Sequence, residues 1–182
     1  FAPHRHANME ILSVVLDGAL AHKDSAGHSG VIRAGDVQWM SAGHGIEHSE
    51  YNADPAAPVH FLQIWIQPER LNHAPAYAQR HFDPAARRAR WAVLASPDGA
   101  EGSLAIRQQA RVLATRLHAG DALDLPLRRD QRYWLHVATG ALEIGARRLA
   151  AGDALGLESE SGTLVLRGHA DCSDVLVFEL PG

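Results

Sequence analysis

The hydrophobic positions of this chain fall in short runs that are separated by turn-forming residues. A run at 11–16 is followed by the turn Asp17-Gly18 and by a second run at 19–22. Aspartate–glycine pairs supply the positive φ that tight hairpins require. The pattern therefore predicts antiparallel hairpins, and it continues with strand-length runs at 31–33, 37–40, 59–66, 104–108, 112–117, 122–125, 133–137, 141–144, 154–157, 162–166 and 175–180.

One stretch interrupts this series of predicted strands. Between residues 67 and 91 the chain contains Pro68, Pro75 and Pro84, and residues 84–90 are the only run compatible with a short helix. We therefore expect this stretch to connect two β domains. The predicted bounds are a first barrel at 1–68, an interdomain connection at 69–103 and a second barrel at 104–182.

A recurring tripeptide supports two related domains. Ala34-Gly35-Asp36 recurs at 119–121 and at 151–153, and the segment at 14–20 is similar to the segment at 135–142. In such turns glycine adopts a conformation that other residues resist, and aspartate caps the turn. We predict an all-β chain with two barrels in tandem. Coincidence among common turn tripeptides is the alternative.

Composition and charge exclude several functional classes. The formal net charge is −4, and the basic residues are scattered except at 87–90, Arg-Arg-Ala-Arg, which we interpret as a solvated surface. No nucleic-acid partner is therefore expected. The apolar runs fall far short of the ~20 residues of a membrane helix, so no membrane span is expected either. Cys172 is the single cysteine, which excludes an intramolecular disulfide and predicts a reducing, cytoplasmic location.

Two pairs of residues stand out although the chain contains 12 histidines. His4 and His6 are two residues apart on a segment that should be extended, and His48 and Glu50 repeat this spacing. Alternate side chains of a strand project from the same face. If both segments line one barrel wall, three imidazoles and one carboxylate converge.

This donor set suits one divalent transition metal ion. Imidazole nitrogens favour iron, nickel, copper or zinc over magnesium or calcium. Four protein donors around an octahedral ion leave two open positions, which an Fe(II) centre needs in order to hold a substrate or O₂. The same residues could instead form a closed, structural zinc site. Spacing alone leaves both possibilities open.

Two segments resemble the metal-binding motifs of the cupin superfamily and its pirin family. Residues 2–18, with His4-Arg5-His6, Glu10 and Asp17-Gly18, resemble the first cupin motif. Residues 35–50, GDVQWMSAGHGIEHSE, are similar to the pirin form of the second motif, and further similarity lies at 61–66, 75–77, 102–104 and 178–181. The resemblance implies a bicupin, with two double-stranded β-helix (jelly-roll) barrels. The second barrel is expected to lack metal ligands, because residues 129–133, RDQRY, stand where the histidine pair would be.

The resemblance also selects the carboxylate ligand. A general cupin pattern would nominate Glu10, whereas the pirin sequence His48-Ser49-Glu50 nominates Glu50, since four residues rather than two separate Gly43 from His48. Glu10 then becomes a residue that could orient a histidine ring from behind. The expected metal ligands are His4, His6, His48 and Glu50.

Two further residues are candidates for the pocket beside this site. Trp39 and His44 flank the turn that precedes His48, and His44 is the candidate for contact with substrate. An aromatic residue near a strand end can equally well belong to the core.

For bacterial members the resemblance implies quercetin 2,3-dioxygenase activity. The expected partners are a small aromatic substrate such as a flavonol and O₂, with Glu50 as the catalytic base. Iron is the expected metal, and zinc, copper, nickel and manganese are alternatives. The rival function is that of a non-enzymatic, metal-binding transcription coregulator with a protein partner. A cupin of another reaction class, such as an isomerase, is a third possibility.

The first residue is Phe1, and the resemblance implies an upstream segment of about 40–50 residues. We therefore expect the opening strands of the first barrel to be missing from this sequence. His4 would then lie near an end of the chain, where order is usually poor.

Overall fold

The computed structural model describes residues 1–182 and divides them into two compact units. Unit 1 comprises Phe1–Phe82 and Leu104–Gln108, and unit 2 comprises Asp83–Ser103 and Gln109–Gly182. Apart from one turn of 3-10 helix at Ala100–Gly102, every regular element is a strand. The expectation of an all-β chain is confirmed. None of the helical structure has the length and apolar character that crossing a membrane requires.

Unit 1 is built from two four-stranded antiparallel sheets. Its strands, numbered along the whole chain, are β1 (His4–His6), β2 (Glu10–Asp17), β3 (Ala19–Asp24), β4 (Ser29–Arg33), β5 (Asp36–Ser41), β6 (Ile46–Asn52), β7 (His60–Ile66) and β8 (Ala76–His81). One sheet has the order β1-β6-β3-β4 and the other the order β7-β2-β5-β8. Side chains of both sheets pack together in two buried clusters, one with Ile11, Met40 and Ile46 and one with Val15, Leu20 and Ile32.

Unit 2 also has two antiparallel sheets. Its strands are β9 (Ala92–Ser96), β11 (Arg111–Leu117), β12 (Ala122–Leu127), β13 (Gln131–Val137), β14 (Ala141–Ile144), β15 (Arg147–Ala150), β16 (Ala154–Glu158), β17 (Gly162–Gly168) and β18 (Ser173–Pro181), while β10 (Leu104–Ala105) lies in unit 1. One sheet has the order β12-β17-β14-β15, and in the other β9, β11, β18, β13 and β16 lie side by side. Alternation on β13 buries Tyr133, Leu135 and Val137 in the core between the sheets.

The two units repeat one arrangement of seven strands. The order β1-β6-β3-β4 matches β12-β17-β14-β15, and β7-β2-β5 matches β18-β13-β16. The turn between β2 and β3 has the same conformation as the turn between β13 and β14, since Gly18 has a φ of 76° and Gly140 a φ of 77°. A Cβ at either glycine would lie 2.4 Å from a carbonyl oxygen, that of Pro58 or that of Cys172. The expectation of two related barrels is confirmed.

The residues between the two predicted barrels differ from the expected connection. Residues 69–103 contain β8, which pairs with β5, and β9, which pairs with β11. Residues 84–90 form turns and a bridge from Arg88 to Arg116, so the expected short helix is wrong. Residues 104–108 lie in unit 1 because Arg107 donates hydrogen bonds to Glu10 through its backbone and to the Ala74 carbonyl through its guanidinium.

A buried ion-pair cluster lies in unit 2 where a solvated surface was expected. Arg87 is 6% exposed, and its Nη2 lies 3.1 Å from Asp174 Oδ1. Arg116 Nε donates to the same carboxylate at 3.0 Å. Burial lowers the pKa of Arg87 and Asp174 opposes that shift, whereas the hydrogen bond to Asp174 raises the pKa of Arg116. The interpretation of residues 87–90 as solvated is therefore wrong for Arg87, which Asp174 neutralises.

Replacing Asp174 should destabilise unit 2. Asp174→Asn leaves two arginines near a neutral amide, and losing one partner of a buried pair costs about 3 kcal/mol. We expect a free energy of unfolding lower by about that amount in urea titrations followed by circular dichroism. Asp130→Asn breaks the exposed pair with Arg128 and serves as the control with no measurable change. Equal stability of the two variants would contradict the assignment.

Candidate functional site

The site begins with the pairing of two strands of unit 1. β1 and β6 are antiparallel, with His4 opposite His48 and His6 opposite Ile46. On β6 the buried positions alternate with more exposed ones, so Ile46, His48 and Glu50 face the interior together. The i, i+2 spacing of each predicted pair therefore has the expected structural consequence. Both pairs project from one wall of the barrel.

Three imidazoles converge at this wall. His4, His6 and His48 each offer one ring nitrogen, and these three atoms lie within 4.8 Å of one another. The Nε2 atoms of His4 and His48 are 3.0 Å apart. The buried Nε2 of His6 has no hydrogen-bond partner. Such an unpaired polar atom costs free energy unless another group binds it.

Burial favours the neutral form of two members of this histidine cluster, His6 and His48. Desolvation, helped by His4 and His6, lowers the pKa of His48 to about 4. Desolvation and then His4 lower the pKa of His6. The Nδ1–H of His4 donates a hydrogen bond to the carbonyl oxygen of Ala2, 2.8 Å away, in the tautomer whose Nε2 carries the lone pair. Neutral imidazoles with convergent lone pairs are the form that binds a transition metal ion.

Glu50 is buried on the same face but has protein partners. Its Oε1 accepts a hydrogen bond from Ser13 Oγ at 3.2 Å, and its Oε2 accepts one from Gln63 Nε2 at 2.5 Å. Burial raises the pKa of Glu50, whereas the two hydrogen bonds and the charge of His4 lower it. The carboxylate therefore lies within the electrostatic reach of His4. It is not one of the three residues whose ligand atoms cluster.

Two residues of β7 that the sequence analysis did not single out complete the surroundings. Gln63 and Trp65 are two apart and share the face of β7 that is directed at the site. The indole N–H of Trp65 donates to Gln63 Oε1 at 3.3 Å, which directs the amide nitrogen of Gln63 to Glu50. The Trp65 ring lies edge-on to His6, 5.0 Å between centroids. A lone glutamine in the apolar run 61–66 was the available signal.

The structure places Glu10 and Trp39 away from the histidines. Glu10 is 1% exposed and accepts hydrogen bonds from Trp39 Nε1 at 2.8 Å, Ser41 Oγ at 2.5 Å and the Arg107 backbone N–H at 3.1 Å. No hydrogen bond joins Glu10 to His4 or His6. Trp39 is buried and donates to Glu10. Both residues therefore hold β2, β5 and residues 104–108 together, and neither lines the histidine cluster.

His44 lies at an open groove beside the cluster. The groove has a volume of about 590 Å³, and its lining includes His6, His44, Ser25 and Glu47. The preceding Gly43 has a φ of 49°, and a Cβ there would lie 2.2 Å from the carbonyl oxygen of His73. Only glycine fits this turn, which leaves His44 exposed to solvent. A molecule in the groove could contact both His6 and His44.

Comparison with known proteins identifies the family of the chain. The pirin family profile matches residues 1–66, and a profile described as the quercetinase C-terminal cupin domain matches residues 93–180. A pirin-like protein of Caulobacter vibrioides is 40% identical over 179 residues, which are 97% of this chain and 76% of that protein. The chain belongs to the pirin family.

Two other relatives of this pirin-family chain come from Escherichia coli. A quercetin 2,3-dioxygenase of strain K12 is 38% identical over 182 residues, covering 100% of this chain and 76% of the relative. The crystal structure of the bacterial pirin YhhW in complex with nickel(II) has a TM-score of 0.90 and 34% identity, and the match covers 100% of this chain and 76% of that one. The tandem cupin fold is therefore confirmed.

Strand register identifies the counterparts of the site residues in the second cupin barrel. Leu20 and Leu142 each lie two residues after the equivalent turn glycines, Gly18 and Gly140. Leu20 pairs with Asn52, and Leu142 pairs with Gly168. Asn52 and Gly168 are therefore equivalent positions. Glu50 and Leu166 lie two residues before them, and His48 and Leu164 lie four residues before them. His4 pairs with His48 just as Leu125 pairs with Leu164. The four counterparts of His4, His6, His48 and Glu50 are thus Leu125, Leu127, Leu164 and Leu166. The expected position of the histidine pair at residues 129–133 is therefore wrong, although the counterparts still include no metal ligand.

Removing the Glu10 carboxylate should destabilise unit 1 of this pirin-family chain. Glu10→Ala leaves three buried donors without an acceptor, and each such donor costs about 1–3 kcal/mol when it stays unpaired. Relaxation recovers part of that sum, so we expect a loss of about 3 kcal/mol in urea unfolding. Glu47→Ala, which breaks an exposed pair with Arg5, is the control without effect. Wild-type stability of Glu10→Ala would show that Glu10 has another role.

Proposed function

We propose that this chain is a metal-dependent dioxygenase that acts on flavonols. The observation that carries the proposal is the cluster of three imidazoles, with the unpartnered Nε2 of His6, beside the buried carboxylate of Glu50. A relative named quercetin 2,3-dioxygenase and a nickel-bound relative support it. The proposed ligands are His4, His6, His48 and Glu50.

The donor set fits a divalent first-row transition metal ion, and we propose iron. As metal ligands, three neutral imidazoles and one carboxylate carry a net charge of −1, which a divalent cation more than offsets. Once bound, the ion would act as a Lewis acid toward substrate oxygens and supply the redox chemistry that O₂ requires. Zinc, copper, nickel and manganese are compatible with the same donors, and elemental analysis of protein purified without added metal decides between them.

Glu50 is the proposed acceptor of the proton from the flavonol 3-hydroxyl. Each of its oxygens accepts one hydrogen bond, from Ser13 or Gln63, and keeps capacity for a further contact. Gln63 cannot rotate freely because Trp65 donates to its carbonyl oxygen. The carboxylate is therefore held in one orientation, as proton transfer from a bound substrate requires.

Trp65 and the His44 groove supply a place for a flat aromatic molecule. Trp65 is 56% exposed and lies beside His6, so its ring offers apolar surface next to the proposed metal ligands. Aromatic rings gain about 0.5–1.5 kcal/mol from such pairing beyond their burial. The groove that contains His6 and His44 is open to solvent and would admit the substrate. A cytoplasmic location stays a prediction.

Metal binding should depend on His48 and not on His44. We expect calorimetric titration with Ni(II) to show one ion per chain, and His48→Leu to weaken binding by about 100-fold because a ligand is lost. The leucine matches Leu164 at the equivalent position, so the variant should remain folded. His44→Ala is the matched control with unchanged affinity. Unchanged Ni(II) affinity in His48→Leu would remove this residue from the ligand set.

Quercetin turnover should depend on Glu50. With O₂, iron-loaded protein should deplete quercetin absorbance, and Glu50→Gln should lower kcat by about 10²-fold or more, since an amide cannot accept the proton. Glu158→Gln, at the exposed pair with Arg132 in unit 2, is the control with wild-type kcat. No quercetin loss with either iron- or copper-loaded protein would refute the enzyme. A stoichiometric protein partner in a pull-down would then favour the regulatory role.

A further inference from the structure

Unit 2 contains a cavity that the proposed function does not use. Its volume is about 520 Å³, which lies within the range of about 300–1,000 Å³ typical of small-molecule sites. Its buried lining comes from four strands and is mostly apolar, with Val93, Leu113, Leu125 and Tyr133. Trp91 and Tyr133 add aromatic surface. The lining is therefore suited to a flat, apolar body rather than to a hydrated ion.

The cavity lies where the first barrel has its histidine cluster. Leu125 is the counterpart of His4, as the strand registers show. Ile11 and Tyr133 are equivalent, because each lies seven residues before the turn glycine of its unit. Ile11 pairs with Trp65 and Tyr133 pairs with Glu179, so Glu179 is the counterpart of Trp65. The lining of the cavity contains neither histidine nor cysteine. The same end of the barrel that collects metal donors in unit 1 thus encloses apolar space in unit 2.

The polar groups of the cavity combine donors with acceptors and balance in charge. Arg111 Nη1 lies 2.9 Å from Glu179 Oε2, and Arg111 Nη2 lies 3.3 Å from Glu101 Oε1. Arg128, also in the lining, pairs with Asp130. Because the guanidinium groups already have carboxylate partners, the cavity has no unpaired cation to attract a carboxylate or phosphate. An uncharged ligand with hydroxyl groups matches this rim.

We propose that this cavity binds a small polyhydroxylated aromatic molecule. Its rings would lie against the leucine floor, Trp91 and Tyr133, where burial of aromatic surface is most favourable. Phenolic hydroxyls both donate and accept, so they can pair with the carboxylate of Glu179 and with the amide of Gln131 at the rim. The site is separate from the histidine cluster and needs no metal ion.

Calorimetric titration of metal-free protein with quercetin, under nitrogen and with chelator, tests this site. We expect one quercetin per chain, and at least a 10-fold weaker affinity in Val93→Phe, whose added ring carbons occupy the cavity. Val165→Phe, at an exposed valine outside the lining, is the matched control with wild-type affinity. His48→Leu should also bind normally. If Val93→Phe fails to fold, Gln131→Trp obstructs the cavity from its rim.

Tryptophan fluorescence gives a second measurement of the same site. Bound quercetin should quench Trp91, so Trp91→Phe should lose the saturable quenching that Trp134→Phe retains, since Trp134 lies outside the lining. The inference is overturned if no quercetin binds, or if His48→Leu abolishes binding that Val93→Phe leaves intact. Iron-loaded Val93→Phe should keep wild-type turnover, because the cavity is separate from the histidine cluster. In the wild-type protein, quercetin turnover without quercetin binding by the metal-free form refutes this site alone. Quercetin binding by the metal-free form without turnover by the iron-loaded form refutes the dioxygenase alone.

Discussion

The pairing of β1 with β6 is the constraint on which the candidate site depends. The register that places His4 opposite His48 turns both histidines and Glu50 toward the interior. A slip of one residue would move every side chain of β1 to the opposite face. β6 is held from its other side by β3, where Asp24 lies opposite His48. The backbone pairing of β6 with β1 and β3 therefore fixes the positions from which the side chains of the site project.

Comparison with the second barrel shows how much stability unit 1 loses by carrying the histidine cluster. Leucines occupy the four matching positions, and Leu125 and Leu166 are fully buried in the main apolar cluster of unit 2. Each buried leucine contributes about 1.5–3 kcal/mol, whereas an unpaired buried imidazole nitrogen costs about 1–3 kcal/mol. The histidine cluster is therefore the less stable choice for unit 1. A ligand that binds only the folded cluster would offset this cost by mass action.

Sequence could predict the histidine cluster because part of its geometry is local and the family resemblance supplies the rest. The i, i+2 spacing fixes the face that His4 and His6 share, and the resemblance to pirins supplied the pairing with His48. The partners of Glu10 and Arg87 could not be predicted, because each partnership joins distant segments. Glu10 accepts from Arg107, 97 residues away, and Arg87 pairs with Asp174. An arginine run looks solvated when its carboxylate partner lies on another strand.

The number of hydrogen-bond donors explains why two buried glutamates of unit 1 differ in role. Glu10 accepts three hydrogen bonds from groups that belong to the fold, so its capacity for further partners is nearly used. Glu50 accepts two, and burial raises its pKa, so its charged form is less well stabilised by the protein. Beside it lie three imidazoles, and burial favours the neutral form of two of them, His6 and His48. Glu50, whose charged form the protein stabilises incompletely, therefore lies beside the histidines. A cation bound there would pair with the Glu50 carboxylate and with the imidazole nitrogens.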